Sequence, residues 1–298
     1  MRIGFNYRVP ELPEVEAMAQ AVNRSCTGRL VTRCQLISIA ALKTFDPPLE
    51  DLEGRTSGGC RRFGKQLGID FGNLWLVISF AHAGWIRLRA APVVGAGRRT
   101  EIALRLRLSE VSAETPGCEL EVIEAGTEKR LGLWVVRDPA LVPGVAALGP
   151  DPLGSEFTVA QLERTLGGPN ATLKSALTDQ TRIGGIGNAY SDEILHRARL
   201  SPFQPTGSLE PGERTELHRA IVEVLRSATT AAVESTGGLP TRHRRDAFRV
   251  HGRAGQPCPD CNEVIREVSY VTRSLFYCPR CQTGGRALAD RRMSRLLR

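Results

Sequence analysis

Residues 258–281 read CPDCNEVIREVSYVTRSLFYCPRC, two Cys-x2-Cys pairs separated by 16 residues. This spacing is typical of a zinc ribbon, a β-hairpin held by a tetrahedral metal site. The predicted ligands are Cys258, Cys261, Cys278 and Cys281. Four thiolates leave no open position for water, so we expect one structural zinc ion. A disulfide framework, the alternative for an even number of cysteines, is typical of short secreted chains, whereas this chain has 298 residues.

The remaining composition is that of a globular protein with two domains, at 41% hydrophobic and 24% charged residues. The other cysteines follow no pattern, and in a reducing compartment they are expected to be small buried side chains: Cys26, Cys34, Cys60 and Cys118. No run of 18 apolar residues and no secretory signal is present, which predicts a cytoplasmic protein without a membrane partner.

The positive charge is concentrated in the C-terminal segment. Residues 242–298 contain 13 arginines and five acidic residues, a net charge of +8, which equals the charge of the whole chain. A basic segment around a zinc ribbon predicts contact with a polyanion, most simply phosphate. A solvated charged tail is the alternative, and it fits residues 290–298 better than the ribbon.

The N-terminal segment 9–16 reads VPELPEVE. A proline amine beside two carboxylates is suited to Schiff-base chemistry at a sugar carbon. The alternative is an ordinary helix start, with Pro13 in the first turn and glutamates near the positive end of the helix dipole. The chemical interpretation requires Pro10 to be the N-terminal residue, because an internal proline nitrogen is an amide.

A codon argument bears on that requirement. The chain has 36 arginines and four lysines, a bias expected of a GC-rich coding sequence, in which GTG often serves as a start codon. We therefore expect Val9 to be the initiator, read as methionine and removed, and residues 1–8 to be an upstream misassignment.

Periodicity divides the chain into a β-rich part and a helical part. Helical spacing runs from Leu12 to Thr27 and is followed by short β-rich runs at 31–39, 66–71, 74–80, 85–88, 102–108 and 120–123. Helical patterns return at 159–166, 173–179, 189–198 and 211–235. We predict an α+β chain with a non-native or misassigned extension at 1–9, an N-terminal helix and antiparallel β-sandwich at 10–138, a proline-rich linker at 139–154, a helical domain at 155–236, the ribbon at 248–283 and a basic tail at 284–298.

A glycine-rich turn, Gly184 to Asn188, interrupts two of these helical patterns. Glycines let a backbone approach a ligand closely, and the N-terminus of the following helix attracts phosphate. Taken alone, a structural turn with Asn188 as the N-cap is the better interpretation.

In combination, PELPEVE at 10–16, GIGNAYSDEIL at 185–195 and the C-terminal ribbon resemble the formamidopyrimidine-DNA glycosylase and endonuclease VIII family. The resemblance covers Pro10 to Gln282. It implies a base-excision repair enzyme that removes oxidised or ring-opened bases, a DNA N-glycosylase with abasic-site lyase activity by β/δ-elimination. It also implies a β-sandwich domain and a helix-two-turn-helix domain with a zinc finger, gripping damaged double-stranded DNA as a monomer at the nucleoid.

The resemblance assigns site residues by position. Pro10 is the implied nucleophile, Glu11 the acid/base group, Glu14 a supporting carboxylate and Lys65 a phosphate contact or proton-transfer group. The implied DNA-binding positions are Lys129, Lys174, Asn188 and Arg273, of which the last three resemble the family's phosphate clamp.

Two segments depart from the family pattern. Residues 79–85, SFAHAGW, contain no methionine to fill the gap left by a flipped base, although His82 or Trp85 are candidate substitutes. Residues 129–132 read KRLG, where the family has an Arg-Arg-Phe-Gly segment whose arginine and phenylalanine also fill the gap left by the flipped base. These departures, with a short lid at 236–250, favour oxidised pyrimidines, ring-opened purines or abasic sites over 8-oxoguanine. The alternative functions are a non-catalytic damaged-DNA or abasic-site binding protein of the same fold and, less compatible with PELPEVE, a zinc-ribbon transcription or RNA-binding factor.

Overall fold

The computed structural model describes residues 9–81, 84–90, 101–111, 116–125, 128–168, 171–236, 248–270 and 274–288. The chain forms two compact units. The first unit comprises Met1–Ala147 and Thr229–His243, and the second comprises Leu148–Ala228 and Arg244–Arg298. The change from one unit to the other at Ala147 falls inside the proline-rich segment.

The first unit contains one long helix and two antiparallel sheets. Its elements are α1 (Leu12–Cys26), β1 (Val31–Leu36), β2 (Gly59–Phe63), β3 (Gln66–Asp70), β4 (Trp75–Ser79), β5 (Gly84–Ala90), β6 (Ile102–Leu108), β7 (Cys118–Glu124), β8 (Gly132–Val136) and the short α2 (Pro143–Ala146). The strand orders are β1-β6-β7-β5 and β2-β3-β4-β8. The predicted α+β class with antiparallel sheets is confirmed.

The core of the first unit is built from the alternating positions of the two sheets and the apolar face of α1. Buried side chains of one sheet include Leu67, Ile69, Leu76 and Ile78, those of the other Leu104, Leu106, Leu120 and Val122, and those of α1 Val15, Met18 and Val22. The core positions of each strand are two residues apart, as expected where one face of a sheet packs against a core. Of the four cysteines outside the Cys-x2-Cys pairs, Cys26, Cys60 and Cys118 are buried, and Cys34 is only partly buried.

Sequence periodicity did not single out β2. Its residues 59–63 read GCRRF and show no apolar alternation. The strand pairs with β3 and is also bonded to α1. Asn23 Nδ2 donates to the Cys60 carbonyl at 2.8 Å, and the Cys60 N–H donates to Asn23 Oδ1 at 2.6 Å. This pairing joins residues far apart in sequence, so no local pattern indicates it.

Glu121 of β7 is a buried carboxylate on the side of the sheet opposite the core. It pairs with Arg87 at 2.6 Å and Arg105 at 2.8 Å, and its side chain is 1% exposed. Burial opposes its ionisation, but the hydrogen bonds from Arg105 and Arg87 outweigh that effect and hold the pKa of Glu121 below its ordinary value.

Glu121→Gln is expected to lower the free energy of unfolding of the first unit by about 1–3 kcal/mol at pH 7. Because the pKa is lowered in the folded state, this contribution is present above the ordinary pKa of 4.5 and is lost as pH falls through the folded value. The difference from wild type should therefore narrow in acid. All three tryptophans (Trp75, Trp85, Trp134) lie in this unit, so urea unfolding followed by tryptophan fluorescence reports on it selectively.

The control for this prediction is Glu128→Gln. Glu128 pairs with Arg130, and the two side chains are 71% and 61% exposed, so the change should cost less than about 1 kcal/mol. Equal effects of the two substitutions at pH 7 would contradict the assignment.

The second unit is helical and contains a small β-hairpin near its C-terminal end. Its elements are α3 (Val159–Leu166), α4 (Leu173–Thr178), α5 (Asn188–Arg197), α6 (Pro211–Thr236), β9 (Arg266–Ser269), β10 (Ser274–Tyr277) and α7 (Pro279–Thr283). The last turns of α6 cluster with the first unit. Among the described residues, no helix combines the length and apolar character that crossing a membrane requires.

Candidate functional site

The start of α1 brings two carboxylates next to Pro10. Glu11 is the N-cap residue, and its backbone N–H donates to Glu14 Oε2 at 3.0 Å, while its own carboxylate accepts from the Glu14 N–H. This reciprocal capping box satisfies two N–H groups at the helix terminus. Pro10 is buried, and Glu11 and Glu14 are only 5% and 7% exposed. The helix start and the carboxylate cluster are therefore one structure, and the two interpretations of VPELPEVE are compatible.

Lys65 lies in the two-residue turn between β2 and β3, where Gly64 adopts a φ of +56°. The strand leading to this turn runs along α1. Cys60 is bonded to Asn23 near the end of the helix, and Arg62 pairs with Glu16 near its start at 2.9 Å. The register therefore directs the Lys65 turn toward the end of α1 that carries Glu11. Lys65 itself is partly buried.

Lys129 lies on a loop organised by Glu124, a residue that sequence reasoning missed. The Glu124 carboxylate, 3% exposed, accepts from the backbone N–H groups of Arg130 at 2.6 Å and Leu131 at 2.7 Å. Lys129 is exposed, and its Nζ donates to the Glu124 carbonyl at 2.5 Å. Of the two candidate wedge residues, Trp85 packs against the core of the first unit, and His82 lies outside the described residues.

In the second unit, the glycine-rich turn is held by Gln180. Its Oε1 accepts from the Gly185 N–H at 2.9 Å and its Nε2 donates to the Ile186 carbonyl at 2.7 Å. Gly185 has a φ of +95°, a conformation that favours glycine. Gly187, rather than Asn188, is the N-cap of α5. The Asn188 side chain donates instead to the Ser274 carbonyl in β10 at 2.8 Å.

Lys174 is 7% exposed and its ammonium group is directed at the first turns of α5. Nζ donates to the Asn188 carbonyl at 2.6 Å, to Ser191 Oγ at 2.8 Å and to Asp192 Oδ1 at 2.6 Å. These contacts employ all three N–H donors of the ammonium group. Lys174 therefore joins α4 to α5, and a direct phosphate contact would replace one of these bonds.

Lys174 and Asn188 also meet at a concave pocket of about 90 Å³ in the second unit. Its lining combines the two predicted residues with hydroxyl and apolar groups: Thr172, Lys174, Ser175, Asn188, Phe203, Tyr270, Ser274 and Leu275. No sequence motif indicated Thr172 or Ser274. Arg273, the third predicted clamp residue, lies outside the described residues, immediately before β10.

The four paired cysteines form a metal centre. Their Sγ atoms all lie within 4.8 Å of one another, with Cys258 and Cys281 at 3.9 Å and Cys261 and Cys278 at 3.4 Å. A tetrahedral site with zinc–sulfur bonds of about 2.3 Å has sulfur–sulfur edges of about 3.8 Å, so the cluster fits one zinc ion. The predicted structural zinc is confirmed.

Helix α5 docks this ribbon through buried polar residues that sequence reasoning missed. Glu193, 5% exposed, accepts from the backbone N–H groups of Arg249, Val250 and His251 at 2.8 to 3.0 Å. Burial raises the pKa of Glu193, although these hydrogen bonds oppose the shift. Burial likewise lowers the pKa of His196, whose Nε2 lies 3.3 Å from Cys258 Sγ.

The fold and the metal centre define a protein with two antiparallel sheets in its N-terminal unit and a helical second unit that carries a four-cysteine zinc finger. The family models agree. The "Formamidopyrimidine-DNA glycosylase N-terminal domain" matches residues 9–121, the "Formamidopyrimidine-DNA glycosylase H2TH domain" residues 148–238, and the "Zinc finger found in FPG and IleRS" residues 255–284. The chain belongs to the formamidopyrimidine-DNA glycosylase family, as the resemblance predicted.

Individual relatives match between about half and nearly all of the chain. It is 33% identical to a "Formamidopyrimidine-DNA glycosylase" of Symbiobacterium thermophilum, over 95% of this chain and 93% of that protein. It is 48% identical to an "Uncharacterized formamidopyrimidine-DNA glycosylase-like protein" of Mycobacterium tuberculosis, over 52% of this chain and 98% of that protein. The structure of Lactococcus lactis Fpg in a complex with abasic-site DNA superimposes with a TM-score of 0.79 at 23% identity, covering 92% of this chain and 99% of that one, which shows a shared fold.

Proposed function

We propose that this chain is a base-excision repair enzyme, a DNA N-glycosylase with abasic-site lyase activity, and that the N-terminal amine of Pro10 is its nucleophile. Family membership supports the class of enzyme. The observation that carries the residue assignment is the buried, capped start of α1, which holds Glu11 and Glu14 beside Pro10.

The chemistry follows from these groups. The secondary amine of Pro10 attacks C1′ of the damaged nucleoside, and the glycosidic bond breaks with its electron pair leaving on the base. The nitrogen loses its proton to solvent, and its lone pair then forms a C1′–N double bond as the C1′–O4′ bond breaks. Glu11 supplies the proton that O4′ takes up as the sugar opens. The resulting iminium acidifies the C2′ proton, whose removal expels the 3′ phosphate by β-elimination. A second elimination expels the 5′ phosphate.

Glu14 has the supporting role in this proposal. Its carboxylate accepts from the Glu11 N–H and so fixes the peptide between Pro10 and Glu11. Lys65 is proposed to contact the phosphate or to assist proton transfer, and the course of β2 along α1 supports its placement near the same helix end.

The mechanism requires that the active protein begin at Pro10. A peptide-bonded proline nitrogen has its lone pair delocalised into the carbonyl and is not a nucleophile. The N-terminal family model matches from residue 9 onward, which supports this start. We propose that residues 1–8 are not translated and that the initiator at residue 9 is removed, so that the active protein begins at Pro10.

Damaged double-stranded DNA is the partner. Solved relatives are complexes of Lactococcus lactis Fpg with abasic-site DNA and with N7-benzyl-Fapy-dG DNA. We propose that Lys174, Asn188, Arg273 and Lys129 bind its phosphates, with the pocket at Lys174 and Asn188 as supporting geometry. We further propose that the protein acts as a monomer at the nucleoid in the cytoplasm, where its substrate is found.

Borohydride trapping tests the nucleophile. Protein that begins at Pro10, mixed with a duplex carrying one abasic site and reduced, is expected to form a covalent crosslink that peptide mapping places on Pro10. The matched control is the chain with residues 1–9 attached, which should give no crosslink at residue 10 because the nitrogen of Pro10 is then an amide. Tight binding of the shortened protein without a crosslink would identify a non-catalytic abasic-site binding protein and overturn the assignment.

A further inference from the structure

One face of α5 carries three polar residues at four-residue spacing, and each contacts the C-terminal ribbon. Asn188 Nδ2 donates to the Ser274 carbonyl at 2.8 Å, and Asp192 Oδ2 lies 2.6 Å from His251 Nδ1. His196, two turns beyond Asn188, contacts Cys258. Residues four apart share a helix face, so the three contacts form a continuous seam between α5 and the ribbon.

His196 is at the zinc-proximal end of this seam. It is 1% exposed, and its Nε2 lies 3.3 Å from Cys258 Sγ and 3.7 Å from Asp260 Oδ2. Its Nδ1 is buried and has no hydrogen-bond partner among the residues that the structure describes. Buried polar groups are normally hydrogen-bonded, so the contacts of Nε2 are the ones that can offset the cost of burying this imidazole.

The proton of the imidazole can be assigned from these contacts. A proton on Nδ1 would be a buried donor without an acceptor, which is costly. A proton on Nε2 points toward Cys258, and a zinc-bound cysteine is a thiolate that accepts hydrogen bonds. The Nε2–H tautomer therefore satisfies the donor and leaves only an acceptor unpaired.

We propose that His196 is a positioning residue for the zinc centre, donating its Nε2–H to the zinc-bound thiolate of Cys258. Through this bond, α5 helps the ribbon to retain its metal. The same helix begins at Asn188, which the proposed function assigns to DNA binding. Four thiolates already complete the tetrahedral site, so His196 acts through Cys258 and not as a ligand. Partners in this outer position orient metal ligands and tune the metal.

Zinc transfer to a chromogenic chelator, measured on the full-length folded protein, tests the proposal. His196→Leu, which fills a similar volume without a donor, is expected to release zinc about tenfold faster than wild type. His196→Gln restores a side-chain N–H and should lie between the two. The control is Arg197→Gln, at the next position of α5, because Arg197 pairs with Glu223 of α6 at 2.9 Å. Its zinc release rate should match that of wild type.

Cobalt(II) substitution provides a readout that a purely structural role would not change. A hydrogen bond stabilises the filled orbitals of a thiolate, so its loss lowers the energy of the sulfur-to-cobalt charge-transfer band. The band should shift to longer wavelength in His196→Leu and back toward wild type in His196→Gln. If His196→Leu does not fold, the zinc release rate and the cobalt band of His196→Gln are compared with those of wild type. Both are expected to differ from wild type in the same directions as predicted for His196→Leu, but by less. Unchanged release rates and bands, or a cobalt spectrum that shows imidazole coordination in wild type, would overturn the proposal.

Discussion

Glu11→Gln is expected to lower the single-turnover rate of base excision by about 100- to 10,000-fold, in protein that begins at Pro10 and acts on a duplex containing a ring-opened purine. The carboxylate is proposed to supply the proton that the opening sugar requires, and a carboxamide cannot replace it. The substitution should leave the fold intact, because a glutamine oxygen can still accept the Glu14 N–H that completes the capping box. Quench-flow analysis of base release gives the rate directly.

Glu14→Gln is the matched control for this prediction. It keeps an oxygen acceptor for the Glu11 N–H, which lies 3.0 Å from the Glu14 carboxylate, and so preserves the position of Glu11. We expect a loss of less than about tenfold, since Glu14 is proposed to position Glu11 and not to transfer the proton. If the excision rate of Glu11→Gln is within tenfold of the wild-type rate, the acid/base role of Glu11 is refuted. If both variants lose activity to the same large extent, proton transfer cannot be assigned to Glu11 alone.

Cys261→Ser should release the zinc ion and reduce binding to an abasic-site duplex by at least about 100-fold. The ribbon has a very small apolar core, in which two of the four fully buried members are zinc ligands: Val250, Cys258, Ile265 and Cys278. Such a domain depends on metal binding for its folding, to the extent of about 10–16 kcal/mol. Without zinc, the β9–β10 hairpin next to Arg273 and the docking of the ribbon on α5 are both expected to be lost.

The control for the zinc prediction is Cys34→Ser, a change of the same chemistry at a partly buried cysteine of β1 in the first unit. It should retain one zinc per chain and wild-type DNA binding. Metal content measured by mass spectrometry, together with binding measured by fluorescence anisotropy at constant salt, separates the two variants. Normal DNA binding by a zinc-free Cys261→Ser protein would contradict the role of the ribbon.

The parts of the fold that were predictable are those with a local chemical signature. The alternation of residues 102–108 predicted β6 with its bounds, and helical spacing predicted α3 at 159–166. The Cys-x2-Cys pairs predicted the zinc site because ligand spacing is itself a geometric constraint. For α1, Pro13 and the adjacent glutamates indicated where the helix starts. In the structure the helix begins at Leu12, directly after its N-cap Glu11.

Other features depend on partners that are distant in sequence. The sequence by itself determined the fold class, the zinc ligands and the family, since periodicity, spacing and motif order are carried by neighbouring residues. Only the tertiary structure decided that Lys174 directs all three donors at α5, that β2 follows α1, and that an unremarkable His196 reaches Cys258. Each of these contacts joins residues 14 to 62 positions apart. These contacts form only when helices and strands pack against each other, because a buried donor is stabilised only where packing places an acceptor beside it.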